Sequence, residues 1–120
     1  MGKRERKAKR SLKQLQSRDN KGLDEQVYEL LKRIPEGRIT TYKALAMALG
    51  KPKASRVIGN ILKNNPNPVI VPCHRVVRSD GKIGGYAYGK NVKKILLEIE
   101  GININNDTIV SFDKIVINDL

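Results

Sequence analysis

Residues 41–62 carry two short helical periods back to back, and no other feature restricts the fold as much. Thr41 is a natural helix cap, Tyr42 follows in the first turn, and Leu45, Ala46 and Leu49 share one face. Gly50 falls where a helix end takes a left-handed residue, and Lys51-Pro52 makes the turn. The second period spans about residues 54–62 and is expected to bury Val57, Ile58 and Ile61. Helices this short are marginal alone. Joined by a tight glycine-containing turn they read as a helix-turn-helix, whose neighbours must complete the core.

Upstream, Asp24 is expected to cap a helix with Val27, Leu30, Leu31 and Ile34 on its inner face, ended by Pro35-Glu36-Gly37. Arg38-Ile39-Thr40 reads as extended. Downstream, Pro66 and Pro68 exclude regular structure, and Val69-Ile70-Val71 is a short apolar run. Val76-Val77-Arg78, the turn Ser79-Asp80-Gly81, and Lys82-Ile83 predict a hairpin, the wing of a winged helix. Gly84, Gly85 and Gly89 bracket a loop. Val92, Ile95, Leu96 and Ile99 mark a last helix closed by Gly101. Ile109-Val110 and Ile115-Val116-Ile117 predict a hairpin around residues 111–114. The expected fold is α+β, mainly helical: a winged helix-turn-helix domain over residues 23–101. A basic segment, residues 1–22, precedes it and a tail, residues 102–120, follows.

The chain has 24 Lys and Arg against 12 Asp and Glu, a formal net charge of +12. The excess crowds into the first segment, from Lys3 and Arg4 to Arg18 and Lys21. A balance of this kind points to a polyanion, most often nucleic acid, although a solubilising surface gives the same signature. Residues 1–22 hold too few apolar side chains to build a domain and are expected to be mobile unless bound. They could act as an electrostatic arm, or pack Leu12 and Leu15 on the domain. No apolar run is long enough for a membrane span, and no apolar stretch follows the basic start as in a secretory signal. With a single cysteine, this points to a reducing, intracellular compartment: the cytoplasm, or the nucleus in a eukaryote. One Cys and one His are too few for an ordinary zinc site, and nothing supports a metal or an organic cofactor.

Pro72-Cys73-His74-Arg75 is the sharpest chemical feature. A thiolate is a strong nucleophile, and a nearby imidazole eases its formation. A lone cysteine is equally a small buried hydrophobe, and sequence neighbours can point apart.

The stretch from Asn65 through Pro72-Cys73-His74-Arg75-Val76-Val77 closely resembles the active-site signature of the O6-alkylguanine-DNA alkyltransferases, also called methylated-DNA–protein-cysteine methyltransferases. Ile34-Pro35-Glu36-Gly37, Thr41-Tyr42-Lys43-Ala44-Leu45-Ala46, Ala54-Ser55-Arg56-Val57-Ile58-Gly59 and Leu96-Leu97-Glu98-Ile99-Glu100-Gly101 resemble the family's other blocks, in order. The resemblance implies a single-turnover enzyme that flips O6-alkylguanine out of double-stranded DNA and moves the alkyl group irreversibly to Cys73, acting as a monomer. On that reading His74 takes the thiol proton through a water, Glu100 orients His74, and Asn65 braces the turn. Arg56 fills the gap left by the flipped base, and Ala54, Ser55 and Arg75 join it on DNA. Tyr42 helps rotate the nucleotide. Tyr86, the Val76 carbonyl, Ala87 and Tyr88 shape the guanine pocket, and Lys93 lies near the thiol.

Two departures stand out. The family usually carries a separate N-terminal domain, where this sequence has the short basic segment. Ala87 and Tyr88 stand where the family usually has Ser or Gly, so a hydroxyl donor is lost and Tyr88 is expected to narrow the pocket, although Gly85-Tyr86-Ala87-Tyr88-Gly89 looks archaeal. Two rivals remain in view. One is an alkyltransferase-like binding protein, which typically has tryptophan at the position of Cys73. The other is a transcription regulator, which has no need of Asn65, the Pro72-Cys73-His74-Arg75 block and Glu100 together.

Overall fold

The computed structural model describes residues 22–120, so the basic segment lies almost wholly outside the described residues. The order is α1 (Leu23–Leu31), β1 (Thr40–Thr41), α2 (Tyr42–Ala48), α3 (Ser55–Lys63), a single 3-10 turn (Cys73–Arg75), β2 (Val76–Val77), α4 (Lys90–Ile99), β3 (Ile104–Asn105), β4 (Thr108–Ile109) and α5 (Phe112–Ile115). The architecture is α+β, with short sheets among helices.

Local chemistry explains most boundaries. Thr41 accepts a hydrogen bond from the Ala44 amide at 2.9 Å and so caps α2. Gly50 closes α2 at φ 70°, and the Lys51 amide reaches back to the Ala46 carbonyl. Asp24 is not the cap of α1: Gly22 holds that position without a side-chain bond, and Asp24 sits in the first turn, where its charge suits the helix N-terminus. The inner face of α3 is Ile58 and Leu62, flanked by Ala54 and Ile61, whereas Val57 is 48% exposed. Val57 is rotated toward the Arg56 side of the helix, away from that stripe.

A parallel pair lies between two apolar clusters. Thr40 pairs with Val76 and Thr41 with Val77. Side chains alternate along a strand, so Val76 enters one cluster and Val77 the other. The first cluster joins Val27, Leu31, Leu45 and Ile58 to Val71 and Cys73. Tyr28 ties α1 to α3 across it by donating its hydroxyl to the Ile61 carbonyl at 3.0 Å. The second cluster holds Ile39, Ile83, Leu97, Ile102 and Ile109, so residues beyond 101 pack against the helical part.

The expected wing hairpin does not form. Val76–Val77 pairs with β1, while Lys82 bridges Thr108 and the Ile83 amide bonds the Asp107 carbonyl. Residues 78–82 form only a tight turn, closed from the Arg78 amide to the Lys82 carbonyl at 2.9 Å. The tail hairpin is also displaced. It is β3–β4, turning on Asn106 and Asp107, both at positive φ, as two-residue hairpins require. The stretch expected to turn is instead α5, after which Val116 bridges Ile39.

Candidate active site

Pro72 leads into the 3-10 turn, where the Arg75 amide bonds the Pro72 carbonyl at 3.0 Å. Three residues complete such a turn, so its side chains fan out in three directions. Cys73 faces a cavity, His74 points into the protein, and Arg75 reaches toward α4. Cys73 and His74 are 4% and 0% exposed.

Glu100, at the end of α4, holds the other two. Its Oε2 accepts from His74 Nε2 at 2.8 Å and from Arg75 Nη2 at 2.6 Å, and its Oε1 accepts from Arg75 Nε at 2.9 Å. Burial works to raise the Glu100 pKa, but the bonds from Arg75 and His74 outweigh it and hold the carboxyl below its usual range. Burial lowers the His74 pKa, against the pull of Glu100 and with help from the Arg75 and Lys93 cations. A neutral His74 facing an ionised Glu100 must carry its proton on Nε2. Nδ1 is then a bare acceptor, buried and without a partner among the described residues.

Arg75, expected on DNA, is turned inward. Its guanidinium is spent on Glu100 and on the Ile34 carbonyl at 2.7 Å, and the side chain is 12% exposed. It ties the 3-10 turn to the end of α1 and to α4.

Asn65 spans the loop before Cys73. Its Nδ2 donates to the Val71 carbonyl at 2.8 Å and to Cys73 Sγ at 3.3 Å, while its Oδ1 accepts from the Asn67 amide. The loop is strained: Val69 sits at φ 73°, which β-branched residues rarely adopt. Asn65 and the Val71-to-Asn67 backbone bond hold it closed.

The cavity measures about 530 Å³. Cys73 lies in its wall with Tyr42, Ser55, Arg56, Gly59, Tyr86 and Ala87. Lys43, Lys63 and Arg78, none picked out from the sequence, line it too. With Arg56 they make four cations, and no carboxylate stands among the lining residues. Gly59 lies one turn along α3 from Ser55, and that helical spacing of small residues was a readable sign of open space. Ala54 is the partly buried N-cap of α3.

Two expected pocket residues stand elsewhere. Tyr88 is 56% exposed, does not line the cavity, and meets the Tyr86 ring edge-on at 5.6 Å. It supports the wall from outside instead of narrowing the cavity. The Val76 carbonyl accepts from Lys93 Nζ at 2.7 Å.

Lys93 is fully buried and also donates to the Gly85 carbonyl at 3.0 Å. Gly84, at φ 76°, leaves the space: a Cβ there would lie 3.3 Å from Arg78 Cγ, and 3.7 Å from both Lys93 Nζ and Tyr42 Oη. Burial pushes the Lys93 pKa down to about 7, with Cys73 pulling the other way. An unfolded lysine titrates near 10.5. Between those values the unfolded chain binds more protons, so stability rises as pH climbs from about 7. One such group adds up to about 1.4 kcal/mol per pH unit. Tyr28, Tyr42 and Tyr86 are raised above 10.0 and oppose this only at higher pH. Urea melts of wild type and Lys93→Met across that window should show the slope in the first and its loss in the second; equal slopes would contradict a neutral buried amine.

The family model described as "6-O-methylguanine DNA methyltransferase, DNA binding domain" matches residues 22–102. The methylated-DNA–protein-cysteine methyltransferase of Methanosarcina barkeri is 46% identical over 78 residues, which cover 65% of this chain and 49% of that protein. Mycobacterium tuberculosis OGT, solved in complex with DNA, superposes with a TM-score of 0.65 at 40% identity, over 68% of this chain and 49% of that one. S. pombe Atl1, solved with damaged DNA containing O6-carboxymethylguanine, gives 0.67 at 28% identity, over 78% of this chain and 93% of that one. The chain thus spans about half the length or less of the curated relatives it matches. Every side chain described around Cys73, from Tyr42 to Glu100, falls inside the matched span, and the chain belongs to the 6-O-methylguanine DNA methyltransferase family through its DNA-binding domain.

Proposed function

We propose that this protein repairs DNA by direct reversal, taking the alkyl group of O6-alkylguanine onto Cys73 once per molecule. The observation that carries this is Cys73 in the wall of a cation-lined cavity, beside a buried histidine whose Nε2 is tied to Glu100 and whose Nδ1 is a bare acceptor. The thiol proton passes to Nδ1 through a bridging water. Sulfur then attacks the alkyl carbon, the S–C bond forms, and the C–O6 bond breaks. The electron pair stays on the guanine oxygen, where hydrogen bonding or a proton stabilises it. Ala87 supplies no hydroxyl for this, and a backbone N–H takes its place as donor. A thioether has no easy route back, so turnover stops at one.

The target atom is stacked inside a duplex, so the nucleotide must leave the stack. The α2–α3 pair, with the 78–82 turn beside it, serves as a helix-turn-helix that docks on the duplex. Arg56, exposed at the start of α3 and in the cavity wall, fills the vacated space. Tyr42 assists rotation. Arg56→Ala should therefore slow repair in duplex at least about tenfold more than in single strands, since unstacking costs a few kcal/mol only in the duplex. Equal losses on both would reassign Arg56 to phosphate contact.

The similarity to Atl1 favours a second reading, recognition of the damaged base without transfer. Incubation with a duplex holding one O6-methylguanine, followed by peptide mapping, separates the two. Methyl on the Cys73 peptide supports transfer. Tight binding with an unmodified protein supports recognition alone.

A further inference from the structure

Two side-chain polar atoms among the described residues are buried without a partner: His74 Nδ1 and the Tyr86 hydroxyl. The first is the proton acceptor just assigned. The second has no task in that scheme beyond the shape of its ring. Buried polar atoms are rarely left unpaired, and the exceptions call for a ligand or a chemical role.

Tyr86 lines the cavity that Cys73 lines and packs against the cluster that contains Cys73. Three other polar side chains around the sulfur are already engaged. Tyr28 donates to the Ile61 carbonyl, Lys93 to the Val76 and Gly85 carbonyls, and Asn65 gives its Nδ2 to the Val71 carbonyl and to Sγ at 3.3 Å. Tyr42 lines the same cavity. A thiol accepts hydrogen bonds weakly, whereas a thiolate accepts several strong, charge-assisted ones.

We propose that the Tyr86 hydroxyl is the hydrogen-bond donor that stabilises the Cys73 thiolate, its contact with sulfur tightening into a full bond once the thiol proton has left. A donor that reaches the resting thiol only weakly and the thiolate strongly stabilises the reactive form selectively. Burial, then the charges of Cys73 and Tyr88 and a hydrogen bond to Cys73, push the Tyr86 pKa up to about 12, so the phenol keeps its proton at neutral pH. Tyr88, edge-on at 5.6 Å, restricts the ring from the solvent side. The inference rests on Cys73 being the nucleophile, but its test needs no DNA.

The test is the rate at which iodoacetamide alkylates Cys73 in the free protein, followed by mass spectrometry against pH. Iodoacetamide reacts with the thiolate, so the rate follows its population. Tyr86→Phe keeps the ring and should react about tenfold more slowly near pH 7, as expected for the loss of one charge-assisted bond. It should converge on wild type at high pH. Tyr28→Phe removes a hydroxyl already committed elsewhere, so its profile should match wild type even if its melting temperature drops. Replacing Tyr86 alone by 3-fluorotyrosine makes a stronger donor at that position and should raise the rate near pH 7. The fluorinated protein decides the matter should Tyr86→Phe fail to fold. A Tyr86→Phe profile that overlays wild type would overturn the proposal, as would faster reaction at every pH, which would make the hydroxyl a mere shield. If Tyr86→Phe slows transfer from DNA but leaves the iodoacetamide profile unchanged, the donor serves the base and the proposal fails. If wild type takes no methyl from DNA, the transfer reading falls while the iodoacetamide result still stands.

Discussion

Cys73→Ser should abolish alkyl transfer while leaving affinity for an O6-methylguanine duplex within a few-fold of wild type. The two halves have separate causes. Transfer needs a nucleophile that ionises under mild conditions, and a hydroxyl in the same place does not. On the proposed reading binding draws on the cations of the cavity wall, Lys43, Arg56, Lys63 and Arg78, none of which the substitution touches. The hydroxyl also suits its surroundings, since Asn65 Nδ2 already points at the sulfur. Serine in this largely apolar cluster should therefore cost no more than about 1–3 kcal/mol of stability. Single-turnover assays with labelled DNA and a binding titration check both parts. Residual transfer above a trace would place the acceptor elsewhere, and a parallel collapse of binding would mean that Cys73 has chiefly a packing role.

His74→Ala is the second large effect. General-base assistance is worth roughly two to four orders of magnitude, so transfer near neutral pH should fall by about that much. Glu100 keeps both of its bonds to Arg75, so the substitution does not strand a buried carboxylate. The pH profile carries the signature. Burial lowers the wild-type His74 pKa below 6.5, so the imidazole remains a competent acceptor below its ordinary titration point. The wild-type rate should hold as pH falls past 6.5, then drop as the depressed pKa is crossed. The variant should lose that step and gain rate as pH rises, because hydroxide replaces the missing base. Stability follows the same sign: the unfolded histidine binds a proton first on acidification, so stability is lost as pH falls below 6.5. A variant with the wild-type profile would remove His74 from proton transfer.

Much of this site was legible because its blocks are local. Thr41 caps the start of its helix and Gly50 and Gly101 close the ends of theirs by rules that act within one turn, and each stands where the sequence placed it. Asn65 next to Pro66 and the Pro72-Cys73-His74-Arg75 block also lie within one loop and one turn. What depends on distant partners was not legible. The strand at Val76–Val77 looks like one arm of a hairpin, yet its partner is Thr40–Thr41, more than thirty residues earlier. On α4, apolar periodicity picked Val92, Ile95 and Ile99, which are exposed, and missed Lys93, which is buried. Periodicity treats lysine as surface, and two carbonyls from separate segments make the exception. The family resemblance put Arg75 on DNA, whereas Glu100 and the Ile34 carbonyl, both distant in sequence, occupy its guanidinium.

The most direct measurement is the stoichiometry of transfer. A fixed amount of protein is titrated with excess duplex bearing labelled O6-methylguanine, and label bound to protein is counted at the plateau. The account predicts one methyl per protein, all of it on Cys73, with no further release of repaired DNA however long the incubation. Continued turnover, a plateau reached on another residue, or no labelled protein at all would contradict it.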